Sequence, residues 1–367
     1  MGGAVNQGRW GRPRRRFTVS RQTVTAAVAA GCFISTAAIL MFVPVPYVMY
    51  SPGNAYDIFA LDAEKRPTVS VSGVPTYPVS GELRMTTVSV TRSDANLTLP
   101  EVVFGQLSPS HDVLPRENVY PEGKSAEQVQ SEERQMMDTS QQEAIVAALR
   151  EAGQPVEEIP VVASVVTDGP SDGILMPGDF VLEVDGEPVQ ATSDIPEHVQ
   201  QREPGDEITL KVLGADTDEP EEVTVPVEIG PEGTPRIGIG VELGYQYDAE
   251  VNFGVREGIG GPSAGLVFAL GIYEQVTPGD LVAGRDIAGT GTIDVDGRVG
   301  PIGGIREKIH GAEKAGAEVF LVPAENCRDV VGLRTDAELV RVDDLTGAVD
   351  ALDAVSYTHL RAHETPE

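Results

Sequence analysis

Between Arg21 and Asp57 the chain carries no charged residue. Within that gap, TVTAAVAAGCFISTAAILMFVPVPYVMY (Thr23–Tyr50) is long enough to cross a bilayer, whose hydrocarbon core takes about 20 apolar helical residues. No other feature constrains the fold as strongly, because a spanning segment is withdrawn from any aqueous core. Arg9, Arg12, Arg14, Arg15, Arg16 and Arg21 precede it without an acid among them. The positive-inside rule then predicts a cytoplasmic N-terminus and a body outside the cytoplasm. The alternative is a cleaved signal peptide. The run is long for one, and Pro44 and Pro46 stand where a small-residue cleavage site is needed. The segments expected are a basic cytoplasmic stretch, 1–22, and a single-pass anchor in the cell membrane, 23–50.

Despite its basic start, the chain has a net charge of −30. So acidic a body repels phosphate backbones, which excludes nucleic acid as a partner. Cys32 lies in the apolar run and Cys327 far from it, so the exported part relies on its core and not on disulfides. No CxxC or HExxH spacing occurs, and neither a metal nor a cofactor is expected.

After the apolar run, TVSVSG and GELRMTTVSVTR alternate as strands do, YPEGKSAEQVQSEERQ reads as a loop followed by helix, and 51–140 is expected to be a strand-rich extracytoplasmic region. A GKS at Gly123–Ser125 lacks the upstream glycine of a phosphate-binding loop, since Asn118 holds that place. The chain therefore shows no ATPase signature of its own. Gln141–Gln154 reads as an amphipathic helix ending near Gly153. The segment that follows, VVTDGPSDGILMPGDFVLEVDGEPV, is strand, turn, short helix, strand and hairpin, with PGDEITLKVL as a later strand. It resembles a PDZ domain of the bacterial protease-associated form, placed at 141–231. PDZ domains bind extended peptide at a sheet edge. The usual carboxylate-binding glycine loop is not obvious, and the other reading is a domain that only orients its neighbour.

Chemistry is expected after that, where GIGGPSAGLVFALGIY (Gly258–Tyr273) sets glycines, a proline and a serine before an apolar helix. Pro262 suits the first helical position, which makes Gly261 the cap and puts Ser263 in the first turn. Free N–H groups at such a start suit an oxyanion. A serine needs a base. His111, His198 and His310 have no motif around them. In PIGGIREKIHGAEKAGAEVFLVP, Ile305, Ile309 and Ala312 form an apolar helix stripe, and Lys308 falls on it. Arg306, Glu307, Glu313 and Lys314 fall mostly on the other faces. A lysine there either packs its stem and leads its head out to water, or is buried and becomes a base of lowered pKa. Periodicity leaves both open.

GGPSAG followed by AGTGTIDVDGRVGPIGGIREKIHGAEKAGAEVFLVPAEN resembles the proteolytic domain of the Lon family, over roughly Arg236 to Leu352. The resemblance implies Ser263 as nucleophile, Lys308 as its base and Thr290 as an orienting residue, with Gly261 and Pro262 in support. It places a Lon-type domain at 232–352 and implies an α+β fold: transmembrane helix, β-rich PDZ-like domain and proteolytic domain. Related catalytic domains often assemble into rings, which no residue pattern here shows. Lon proteases usually carry an acid directly before GPS, where this chain has Gly260. The whole is similar to membrane-anchored, PDZ-containing Lon-like proteases, which implies a serine endopeptidase acting on protein or peptide substrates. The rival reading is a PDZ-based scaffold with a dormant Lon-like domain. The last segment, 353–367, reads as a non-native tail.

Overall fold

The structure is a computed structural model that describes residues 20–61, 66–92, 94–120, 123–214, 217, 219–256 and 258–363. Most of the basic segment, 1–19, and the end of the tail, 364–367, lie outside the described residues. The chain forms two compact units. One joins Met1–Tyr50 to Val90–Lys124, and the other joins Ser51–Ser89 to Ser125–Glu367.

In the first unit, helix α1 (Arg21–Phe42) is 22 residues long, with no buried residue and with Ser20 as its cap. At about 1.5 Å per residue it spans roughly 33 Å, the thickness of a hydrocarbon core. It is the one helix among the described residues that is long and apolar enough to cross a membrane. The expected anchor at 23–50 is helical only to Phe42. Val43 is extended and strand β1 (Pro44–Val45) follows, because proline cannot donate to the helix and pushes its predecessor out of helical geometry. Strand β2 (Tyr47–Asp57) begins in this unit, where Tyr47–Tyr50 pairs with β6 (Asp112–Pro115). Strand β1 pairs with β5 (Leu97–Thr98), and the helices α2 (Leu99–Leu107) and α3 (Arg116–Val119) complete the unit.

The second unit begins with β3 (Val69–Ser72) and β4 (Glu82–Val90). Helix α4 (Ala126–Glu151) follows and joins in one helix the stretch expected after the loop of YPEGKSAEQVQSEERQ and the amphipathic helix expected at 141–154. The GKS motif is its start. Ser125 Oγ accepts from the Gln128 amide and Gln128 Oε1 from the Ser125 amide, which is a capping box. Strands β7 (Glu157–Val165), β8 (Phe180–Val184), β9 (Glu187–Pro188), β10 (Glu207–Leu213) and β11 (Glu221–Pro226) follow, with α5 (Asp194–Gln200) between β9 and β10. Strands β12 (Glu228–Ile229) and β13 (Pro235–Arg236) pair with each other, and β14 (Ile239–Gln246) comes next. One sheet has the order β11-β10-β8-β7-β14 around a core that includes Val162, Val181, Ile208 and Leu210. Strand β14, which the sequence assigns to the domain that follows, thus lies on the PDZ-like sheet.

The C-terminal part holds β15 (Glu250–Phe253), α6 (Gly265–Val276), β16 (Asp286–Gly289), β17 (Thr292–Ile293), β18 (Val299–Gly300), α7 (Ile305–Ala315), β19 (Val319–Pro323), β20 (Glu338–Val342) and α8 (Leu345–His363). Strands β20, β19, β16 and β4 lie side by side in parallel. Arg84 of β4 grips Asp286 of β16 through Nε at 2.6 Å and Nη2 at 3.0 Å. Strand β3 pairs with β15. Strands from before the PDZ-like sheet therefore complete the C-terminal domain, and that sheet is an insertion between them. Alternation identifies β3 and β4 as strands, but it does not name their partners. Helix α6 is apolar up to Tyr273, carries Glu274 and Gln275 only in its last turn, and is buried throughout its middle, as a core helix must be. Helix α4 packs on it through Met137, Ala144, Ile145, Ala148 and Leu149.

Candidate active site

Lys308 reaches into the core from α7 and is 2% exposed. Ile305, Ile309 and Ala312 are buried beside it, as their spacing predicts. Glu307, expected on another face, is buried as well. Glycines in left-handed conformation bound the helix, Gly304 at its start and Gly316 at its end. Burial decides between the two readings of the lysine: its head does not reach water. Desolvation of the ammonium pushes its pKa from 10.5 down to about 7.

Lys308 Nζ lies 2.7 Å from Ser263 Oγ and 2.9 Å from Thr290 Oγ1. Thr290 is fully buried, and its hydroxyl donates to the Ser263 carbonyl at 2.9 Å. Its proton being committed there, its oxygen accepts from the amine. A neutral amine has two N–H bonds and one lone pair. With one N–H on Thr290, the lone pair is available to Ser263. The structure thus brings together the serine, lysine and threonine that the sequence singles out. His111, His198 and His310 take no part. His111 contacts Ser108 and Ser110, His198 faces Glu187, and His310 faces Glu313.

Ser263 does not sit inside the helix, as Pro262 at the first helical position implies. Helix α6 starts at Gly265 with Ala264 as cap, and Ser263 is in the turn before it. Two bonds hold it out. The Gly291 amide donates to the Ser263 carbonyl at 2.9 Å, and the Leu266 amide donates to the Gly291 carbonyl at 3.1 Å. The Ser263 carbonyl is therefore taken by the loop after β16 and not by the helical ladder. Gly261 adopts φ +83°, a left-handed turn that favours glycine. Its N–H donates to the Glu133 carbonyl of α4 at 3.0 Å. The Gly261 amide is therefore already engaged, and Pro262 has no N–H to give. The amides of Ser263 and Ala264 make no hydrogen bond among the described residues.

What the sequence reading does not supply is the contact of helix α4 with the nucleophile loop. Ser140 is 1% exposed, and its hydroxyl donates to the Pro262 carbonyl at 3.0 Å. A Cβ on Gly265 would lie 2.7 Å from Ser140 Oγ, and one on Gly260 would lie 3.0 Å from Glu133 Cβ. The small residues of GGPSAG thus admit a helix more than a hundred residues upstream. The place left bare by Gly260 adjoins the Glu133 carboxyl, whose pKa desolvation raises. The other GPS, at Gly169–Ser171, is a turn whose Ser171 hydroxyl is spent on the Ile237 carbonyl at 2.6 Å.

Residues 247–355 match the Lon protease (S16) C-terminal proteolytic domain, and residues 135–227 match a PDZ domain. A Lon protease of Campylobacter concisus is 43% identical over 96 residues, which are 26% of this chain and 11% of that protein. Lon protease 2 of Bacillus subtilis is 32% identical over 106 residues, 29% of this chain and 19% of that protein. The chain spans less than a fifth of the length of these curated relatives. The PDZ domain of an SdrC-like protein from Listeria innocua is 30% identical, covering 23% of this chain and 92% of that one at a TM-score of 0.21. The Ser263, Thr290 and Lys308 constellation lies within the first match, and the chain carries a Lon-type proteolytic domain joined to a PDZ domain.

Proposed function

We propose that the protein is a serine endopeptidase with a Ser263–Lys308 dyad. The observation that carries this is a buried lysine of lowered pKa 2.7 Å from the serine hydroxyl. Neutral Lys308 takes the Ser263 proton as Oγ attacks a peptide carbonyl. The resulting ammonium donates a proton to the leaving amine. Water, deprotonated by the amine, then opens the acyl-enzyme. Thr290 holds the amine through both steps. The Ser263 and Ala264 amides, at the N-terminal end of α6, stabilise the oxyanion. Polypeptide is the substrate class, and the PDZ domain engages it as an added strand. Helix α1 anchors the chain in the cell membrane with its N-terminus in the cytoplasm and the catalytic body outside, from the arginines that precede it. Assembly into a ring is the expected oligomeric form.

The test uses the full chain in detergent, without ATP, with an unfolded protein as substrate and a fluorophosphonate as serine probe. Cleavage and labelling are expected in the wild type, and both are expected to vanish in Ser263→Ala. Lys308→Ala is expected to lower both to background. Undiminished cleavage by either variant refutes the dyad, and absence of both signals in the wild type favours a scaffold.

A further inference from the structure

Helix α2 turns its apolar side away from the unit it belongs to. At about 100° per residue, Leu99, Pro100, Val103, Phe104 and Leu107 fall within one arc of about 140°. Gly105 lies on the opposite side of the helix and is the one residue of α2 that is buried. It must be small there, because a Cβ would lie 2.5 Å from Val113 Cγ2 and 3.0 Å from Met49 Sδ. Met49 and Val113 are cross-strand partners on β2 and β6. The contact that seats α2 on those strands therefore leaves the apolar arc facing outward. Phe104 is 60% and Leu107 80% exposed, and Leu99 and Val103 are exposed as well. The Phe104 ring stands edge-on to the His111 ring, centroids 5.5 Å apart, which holds it without covering it.

The connections of the helix say what covers this arc. Strand β5 runs directly into α2, and it pairs with β1 through Leu97 opposite Val45 and Thr98 opposite Pro44. Only Val43 separates Pro44 from the end of α1. Leu99, the first residue of α2, thus follows the pairing partner of Pro44, and α2 also contacts α1. Paired backbone, and not a free linker, holds the arc beside the point where the apolar run of α1 ends. Helix α1 carries no charge past Arg21 and buries no residue in the protein, so hydrocarbon is the surrounding that suits it. The arc of α2 has the same character, with no polar side chain in it. The acid of the helix, Glu101, lies off the arc and is engaged as its cap, accepting from the Thr98 amide at 2.7 Å and the Thr98 hydroxyl at 2.8 Å. The nine residues of α2 rise about 14 Å, less than half of a hydrocarbon core, so the helix suits the interface and does not cross it.

We infer that α2 is a second membrane contact, an interfacial helix that lays Leu99, Val103, Phe104 and Leu107 into the lipid of the leaflet where α1 ends. The inference rests on the reading of α1 as an anchor and adds a seat that the anchor alone does not supply. No lysine or arginine occurs in α2, so the contact is with acyl chains and needs no anionic lipid. The test uses the full chain with Cys327→Ala, reconstituted in phosphatidylcholine vesicles and spin-labelled at one cysteine. Collision of the nitroxide with oxygen and with a water-soluble nickel chelate gives its depth, calibrated with nitroxide lipids. The native Cys32 reports on α1. With Cys32→Ala, Leu107→Cys or Val103→Cys reports on α2, and both positions are exposed, so the label does not disturb the packing of the helix. The α2 labels are expected about 5–10 Å below the headgroups, open to oxygen and shielded from the chelate. Labels as open to the chelate as in water overturn the inference. Labels shielded from both reagents overturn it too, because protein, such as a second copy of the chain, then covers the arc. In either case a Cys32 label within the hydrocarbon leaves the anchor standing. A Cys32 label in water removes the anchor, and the seat falls with it.

Discussion

Replacing Thr290 by valine removes one oxygen from beside Lys308 and leaves the volume of the side chain almost unchanged. That oxygen accepts from Lys308 Nζ at 2.9 Å in a fully buried place. A hydrogen bond to a charged group contributes about 1.5–3 kcal/mol and one to a neutral group about 0.5–1.5 kcal/mol. The ammonium therefore loses roughly 1 kcal/mol more than the neutral amine, which is close to one pH unit. Burial already holds the amine at about 7. In the wild type, fluorophosphonate labelling of Ser263 is expected to rise with pH as Lys308 loses its proton and to level off above the midpoint near 7. In Thr290→Val the midpoint is expected to fall to about 6, because removing an acceptor disfavours the charged form. The plateau rate is expected to drop as well, since the amine loses the bond that aims it. The Ser263 carbonyl keeps the Gly291 amide as donor, so the turn retains a hold. Thr290→Ser is expected to restore the midpoint. The assay is the labelling rate of each variant between pH 5 and pH 9, on the order of ten points across the predicted midpoints. A midpoint that stays or rises in Thr290→Val refutes the assignment of the lysine as the titrating base.

Ser140→Ala breaks the buried bond to the Pro262 carbonyl and is expected to cost about 1 kcal/mol and to slow labelling of Ser263, read by thermal melting and probe kinetics. Gly265→Ala brings a Cβ to 2.7 Å from Ser140 Oγ and 2.9 Å from Ile293 Cγ2. Overpacking of that kind costs about 1–3 kcal/mol, and a lowered melting temperature with weaker labelling is expected. Gly261→Ala forces a side chain into φ +83° and is expected to cost about 1–2 kcal/mol, so a melting temperature equal to wild type contradicts the left-handed turn. Alkaline carbonate is expected to leave the full chain in the membrane pellet and to release a chain lacking residues 1–43, and a soluble full chain contradicts anchoring by α1.

The parts of the site that were legible in the sequence are those that local period and local chemistry determine. Lys308 shares a helix stripe with Ile305, Ile309 and Ala312, so spacing singles it out although only the fold shows that its head is buried, and Ser263 stands out among glycines. The helix start is not legible locally because it depends on Gly291, whose exchange of hydrogen bonds with Ser263 and Leu266 is a contact across the fold. The same limit hid β4 in the catalytic sheet and β14 in the PDZ sheet, since alternation specifies faces and not neighbours. Helix α4 is the instructive case. Its buried residues Ala144, Ile145, Ala148 and Leu149 lie in the half that the sequence read as an amphipathic helix. The preceding half is mostly polar, and the sequence reads it as a loop followed by helix without showing that this helix is continuous with 141–154 or that it meets the nucleophile loop. The glycines at 260 and 265 leave room for a close neighbour, whereas Gly261 is required by its left-handed φ of +83°. Sequence does not say what approaches. In the fold it is α4, through Glu133 and Ser140, and the stripe beside those two residues lines a groove next to the nucleophile. The position of that groove relative to Ser263 is therefore set by the same helix whose close approach requires Gly260 and Gly265.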